Sequence, residues 1–555
     1  MRSPEDRPTP SDAHRHIARR TFLARTAAVG ASAVGATALP ALGVASTSST
    51  TPAALARESA PQPGRPPRFS PEAWVEPRPE AASDPSELTI AEAAYQLRRG
   101  RLTPESLVEV YLERIDSYDE TYQAFSLVRA EDALEGARQE NPRRGRSPLT
   151  GIPLGIKDNY YTADVTTEAN SFVFTDFAPP FDATIVAQLK AAGGIVLGKT
   201  QMGPLATTRA TTPDGQVTTV NAWTPTDPAV DPGGSSTGSA TAVAGRMATS
   251  SIGTQTGGSI TNPSNAQNLT GLKPTMGRAS LYGIVPLTYT RDHPGPLART
   301  VMDAAIMLTA MAGPDVHDPR TRGLPEMPDL VRAAAPVVRS GEVEVRWTTR
   351  IGVPPGFVSG SDATQRQDFL DTLAGIEGIQ IVDVELPDEW ELLTETFNSV
   401  RLPERTEPFL SFLKQDLTLF GASLLPWLQG LFLSGDETLR GHRSKVVLLE
   451  RILGGMLEEC DVVVQTSPVP FDIVGLPELA VPIGMRKSNG HEIPVGTILG
   501  AGPYEEERLL AVGAAYQEVT DHHWRRPADP PVGAADTRRE HEVRLTAEDV
   551  ARQTQ

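Results

Sequence analysis

The sequence predicts an α/β layered fold, and three observations carry that expectation. From residue 151 onward, short apolar runs such as "GIPLGI" and "GGIVLG" are separated by stretches with helical spacing such as "ATIVAQLKAAG". This alternation is expected when helices link and cover the strands of one sheet. The 555 residues, 39% hydrophobic and 22% charged, suffice to bury a large core. A single cysteine, Cys460, offers no disulfide framework and no multi-cysteine metal site as an alternative way of holding the chain together.

The elements follow in order. Residues 1–45 read as an address: the pair Arg19-Arg20 precedes a small-residue apolar run from Ala27 to Leu42, with Gly43-Val44-Ala45 as a cleavage site. That run is too short and too rich in Gly and Ala to span a membrane, and it resembles a twin-arginine export signal. Residues 46–85 are rich in Pro, Ala and Ser and read as a tether. In the 86–524 domain, Ile90, Ala93, Ala94 and Leu97 recur at helical spacing, and Thr103-Pro104-Glu105 starts a second helix. Region 315–460 reads as mostly helical, and its aromatics Trp390, Phe397, Phe409, Phe412, Phe420, Trp427 and Phe432 suit a pocket wall. After 460 the strand-like runs "CDVVVQTSPVPF", "ELAVPIGM" and "IPVGTILGAG" return, with Cys460 expected as a buried thiol. Residues 525–555 form a charged tail.

Charge and spacing exclude several functions. The net charge of −18 disfavours nucleic acid and anionic membranes as partners. Nine scattered histidines and the absence of HExxH give no metal spacing. "GGIVLGKT" formally matches a phosphate loop, but strand residues Ile195, Val196 and Leu197 occupy the loop positions and the helix comes first. "GSSTG" would nominate Ser236 as an esterase nucleophile, yet a proline-studded loop stands where a strand is required. "SFLK", Ser411 to Lys414, lacks the companion motifs of penicillin-recognising enzymes.

One constellation remains. "GIPLGIKDN" sets Lys157 after an apolar run, and two Gly-Gly-Ser corners follow, ending in Ser235 and Ser259. A serine hydroxyl is a poor nucleophile without a base, and a neutral, desolvated lysine can be that base. A second serine can carry the proton between them and return it to a leaving amine. "TQTGGS" also offers consecutive backbone N–H groups at Thr256, Gly257, Gly258 and Ser259 as an oxyanion cradle.

With its surroundings this constellation resembles the amidase signature family over most of residues 88–524. "DATIVAQLKAAGGIVLGKTQM", "DPGGSSTGSATAVAG", "IGTQTGGSITNPS", "GLKPTMGRASLYGIVPL", "HPGPLARTVMDAAIML" and "GLPELAVPIG" occur in the family's order. The resemblance implies one α/β/α domain with a mixed central sheet wrapped by helices, and neither metal nor organic cofactor. It also implies a Ser-cisSer-Lys triad: Ser259 as nucleophile, Ser235 as bridge held by a cis peptide, Lys157 as base. Gln255 and Thr261 stand where the family usually has Asp and Arg, so a common charged pair beside the nucleophile is absent, and Thr237 replaces a glycine.

The expected function is therefore a secreted or cell-envelope amidase that cleaves a small amide with an apolar or aryl group through an acyl-enzyme. Carbamates or esters are alternative substrates for the same triad, and a homodimer is one option for assembly. The export signal and acidic charge disfavour the family's transamidation role in charging tRNA. Loss of the charged pair motivates a different alternative, an inactive binding protein on this scaffold, and an esterase using Ser236 stands third.

Overall fold

The computed structural model describes residues 67–532, apart from the side chains of Ala82 and residues 396–398. The expected export signal at 1–45, the expected tether up to residue 66, the Phe397 side chain and the tail beyond 532 lie outside the described residues.

Among the described residues, twelve strands form one mixed sheet. They are β1 (Phe125–Val128), β2 (Pro153–Lys157), β3 (Ile195–Thr200), β4 (Ser250–Gln255), β5 (Thr270–Lys273), β6 (His293–Ala298), β7 (Val337–Arg339), β8 (Glu342–Val353), β9 (Glu377–Asp383), β10 (Val462–Gln465), β11 (Glu478–Ser488) and β12 (His491–Ala501). They lie in the order β1-β3-β2-β4-β6-β5-β11-β12-β10-β8-β7, with β9 on the other side of β8. β3, β2 and β4 are parallel, as are β10, β8 and β9, while the strands between these groups pair antiparallel. β2, β3 and β4 are buried throughout their length. This is why they read as continuous apolar or small-residue runs rather than alternating ones.

Helices start where the sequence signals them. Thr103 caps the helix Pro104–Tyr122 and Thr89 caps Ile90–Arg99, each in a reciprocal capping box. Leu107, Val108, Tyr111 and Ile115 turn one face of the first of these inward. Between the two Gly-Gly-Ser corners, "TGSATAVA" forms the helix Thr237–Ala244, buried at every position. Its small side chains let it run deep inside the protein, where Ser239 donates to the Ile252 carbonyl at 3.0 Å.

Three boundaries differ from expectation. Region 315–460 is helical over most of its length but not throughout: β7, β8 and β9 lie within 337–383 and extend the sheet. "EVEVRWTTRIGV" carries β-branched residues on alternate positions, a period-two signal overshadowed by the aromatic helical stretch after it. Part of the expected tether, residues 67–85, packs against the domain, where Ala73 and Ala81 are buried and Arg78 pairs with Glu92 at 2.9 Å. The start of the tail is also fixed, with Asp529 bonded to Arg114 and Arg246. Isolated Arg and Asp residues are legible as polar composition but not as long-range ion pairs.

The helical lobe that remains, 390–459, builds its own core. Phe409, Phe420 and Trp427 are buried with ring centroids 4.8–6.3 Å apart, packed on Met202, Leu205, Val285 and Leu287. These aromatics hold the lobe to the domain, whereas Phe432 is 83% exposed.

Candidate active site

β2 and β4 run side by side with Leu154 opposite Ser250 and Ile156 opposite Ile252. Their carboxyl ends therefore coincide, which is where open α/β sheets place ligands. Lys157 ends β2 with 0% exposure. Its Nζ lies 2.8 Å from Ser235 Oγ, 2.8 Å from Thr254 Oγ1 and 3.4 Å from the Thr254 carbonyl oxygen. Burial pushes the Lys157 ammonium down to about 7, against the opposing pull of the Asp292 carboxylate. As the ammonium, Nζ donates to Ser235 and to Thr254; in the neutral form its two hydrogens suffice for Thr254 and its lone pair is then free to accept from the Ser235 hydroxyl. Asn159 Nδ2 also donates to Thr254 Oγ1, at 3.1 Å.

Ser235 follows a cis peptide bond from Gly234, as expected. A Cβ at Gly234 would stand 2.6 Å from the Arg209 Cα, so the corner admits only glycine. The Ser235 carbonyl accepts the Gly203 N–H at 3.1 Å.

Ser259 sits in the loop after β4 and is 9% exposed, the most open of the three, against 1% for Ser235. Its carbonyl accepts the Ser236 N–H at 3.3 Å, which ties the two corners together. Among the described residues a hydrogen bond joins Lys157 to Ser235, but none joins the Ser235 and Ser259 hydroxyls. The oxyanion cradle needs one correction. Gly258, at φ +94°, donates its N–H to Asp472 Oδ2 at 2.8 Å and is not available. The N–H groups of Thr256, Gly257 and Ser259 make no hydrogen bond among the described residues and remain as donors.

The surrounding groups steady this loop. Thr256 donates its hydroxyl to Asp292, whose other oxygen accepts the N–H groups of Leu287 and Thr288 at 2.8 and 3.0 Å. Two residues of the helical lobe grip the same segment: Glu404 accepts the Thr290 hydroxyl at 2.8 Å, and Lys445 donates to the Thr290 carbonyl at 2.9 Å. Gln255 and Thr261 are joined directly, with Gln255 Oε1 accepting the Thr261 N–H at 2.9 Å. Sequence reading did not single out Thr254, Asp292 or Asp472. Thr254 opens the quoted motif "TQTGGS" without drawing attention to itself, but Asp472 reaches Gly258 from 214 positions away and leaves no local signal.

The competing motifs fall apart. Lys199 lies within β3, 3.1 Å from Asp158 and donating to the Tyr160 carbonyl, so it serves no phosphate loop. Ser236 is fully buried and donates to the Thr254 carbonyl at 3.4 Å; no histidine approaches it among the hydrogen bonds of the described residues. Ser411 and Lys414 lie exposed in the helix Leu410–Gln415. No cluster of metal-ligating side chains occurs among the described residues, and no helix is long and apolar enough to cross a membrane. Cys460 is buried, and that burial pushes its thiol up to about 12.

Comparison with known proteins agrees with this geometry. The amidase family matches residues 106–409. A glutamyl-tRNA(Gln) amidotransferase subunit from Chloroflexus aggregans is 33% identical, covering 79% of this chain and 98% of its own. The structure of a peptide amidase from Stenotrophomonas maltophilia superposes with a TM-score of 0.67 at 27% identity, covering 81% of this chain and 99% of that one. An amidase-family structure from Bacillus anthracis gives 0.65 at 27% identity, covering 81% and 95%. With its fold, its paired glycine-serine corners and these relatives in agreement, the chain belongs to the amidase family of enzymes that hydrolyse amide C–N bonds.

Proposed function

We propose that this enzyme cleaves a small amide through a Ser259 acyl-enzyme, with Lys157 as base and Ser235 as proton bridge. The observation that carries the reading is the 2.8 Å contact between Ser235 Oγ and a fully buried Lys157 Nζ. Lys157 accepts the Ser235 proton while Ser235 takes that of Ser259, and Ser259 Oγ attacks the carbonyl carbon. The oxyanion is held by the N–H groups of Thr256, Gly257 and Ser259. Ser235 returns the proton to the leaving amine, and water then releases the acyl group.

The substrate is read as a small amide with an apolar or aryl group, with carbamates and esters open to the same steps. Relatives named as amidotransferase subunits bring in a second reading, in which the amide is opened to pass on its nitrogen. The test is turnover of a panel of aryl amides, peptide amides, carbamates, esters and glutamine by the wild type, beside Ser259→Ala and Lys157→Ala. Turnover lost in both variants supports the triad; equal turnover in either variant overturns it. A wild type inert to the whole panel, and to a covalent serine probe, favours the binding-protein alternative.

The same reading places the enzyme outside the cytoplasm, on the strength of the Arg19-Arg20 leader alone. Unchanged export after both arginines are replaced by lysine would refute it.

A further inference from the structure

Below the nucleophile loop lies a buried polar cluster that the proton path does not use. Gln255 Oε1 accepts the N–H groups of Ile260 and Thr261, each at 2.9 Å, so its Nε2 must face the other way. Nε2 donates to Asp472 Oδ1 and to Glu478 Oε2, both at 2.9 Å. Asp472, on the short helix Val469–Val474, accepts the Gly258 N–H with its second oxygen. Lys273 Nζ stands 3.3 Å from Asp472 and 3.5 Å from Glu478. All four side chains are fully buried, and burial pushes the Glu478 carboxyl well above the usual carboxylate range.

We infer that Asp472 is the positioning residue for Ser259, supplying from a distant helix the carboxylate that this chain lacks at position 255. The Gln255–Asp472 pair holds the loop on both sides of the nucleophile: Gly258 N–H before it, Ile260 and Thr261 N–H after it. The polarity of the pair fixes the identity of residue 472. Because the loop claims Gln255 Oε1, residue 472 must accept two hydrogen bonds, one from Gln255 and one from Gly258. A carboxylate does this with its two oxygens; an asparagine has one acceptor and would present its amino group to the amino group of Gln255. Lys273 beside Asp472 offsets the charge in this dry setting.

This inference rests on Ser259 as nucleophile, and the experiment separates the two. Asp472→Asn, Gln255→Glu and the double exchange keep every side chain's shape. Asp472→Asn opposes two amino groups, and Gln255→Glu opposes two carboxylates. The double variant restores one donor–acceptor pair with its direction reversed. For each folded protein the readouts are the labelling rate at Ser259 by a fluorophosphonate, followed by intact mass, and kcat and KM on one turned-over substrate.

Each single exchange is expected to slow labelling and kcat roughly 10- to 100-fold with KM within about threefold, and the double variant to return to within about fivefold of wild type. Labelling of Asp472→Asn at the wild-type rate overturns the inference, as does a folded double variant as slow as the two single losses combined. If Asp472→Asn does not fold, a folded double variant that labels normally supports the inference and one that stays inert overturns it. A wild type that never labels at Ser259 removes the nucleophile assignment and this inference with it.

Discussion

Thr254 holds Lys157 at two points, with its hydroxyl 2.8 Å and its carbonyl 3.4 Å from Nζ. These contacts consume the hydrogens of a neutral amine and aim its lone pair at Ser235. Thr254→Val keeps the shape and removes one of the two acceptors. A fall in kcat of roughly 10- to 100-fold is expected, with Thr254→Ser close to wild type. Steady-state kinetics of both variants check this, and an unimpaired valine variant contradicts it.

The pH profile follows from burial of the base. In the proposed mechanism Lys157 acts in its neutral form, and its ammonium is held down to about 7. Below that value the protonated form dominates, so kcat/KM should fall about tenfold per pH unit as acid is added and level off above it. A flat profile between pH 5 and 9 would remove Lys157 from the role of base.

Asp292 sets where that limb lies. Its carboxylate pulls the Lys157 ammonium up, opposing burial. Asp292→Asn takes away this attraction, so the acid limb should move to lower pH. The variant should also weaken the grip on Thr256, lowering the plateau. Movement of the limb to higher pH would show that the carboxylate acts in another way.

The lobe core gives a stability prediction. Trp427 is fully buried with Phe409 4.8 Å and Phe420 5.7 Å away. Trp427→Ala should cost about 3–5 kcal/mol in denaturant unfolding, while Phe432→Ala at the exposed tip should change little. Equal losses would mean that Phe432 is covered in solution.

Cys460 should resist chemistry. With its thiol pushed up to about 12 in a buried site, iodoacetamide at pH 8 should leave the native protein unmodified and fully active. Rapid alkylation without unfolding would contradict the packing around β10.

Local chemistry was legible in the sequence where a residue's neighbours along the chain also define its role. The helix start at Thr103-Pro104, the buried strands β2 and β3, and the glycine corners at Ser235 and Ser259 all have such signatures. Lys157 alone would pass for a solvated strand end, and it was legible only together with the two glycine-serine corners and the motifs that follow it. What escaped was decided by distant partners. Gly258 looked like an oxyanion donor until Asp472 arrived to take its N–H, and the strand β8 was hidden by the aromatic stretch that follows. The aromatics of the lobe showed their burial in composition, but not that they would face one another.

Arg246 lies just past the helix that begins beside Ser235, and it joins the two ends of the described chain. One side of its guanidinium meets Glu87 at 2.8 Å, and the other bonds to Asp529. The helix between has eight residues and so spans about 12 Å. One guanidinium thus fastens the segments around Glu87 and Asp529 to each other, about one helix length along the chain from Ser235, so a change at Arg246 would loosen both at once.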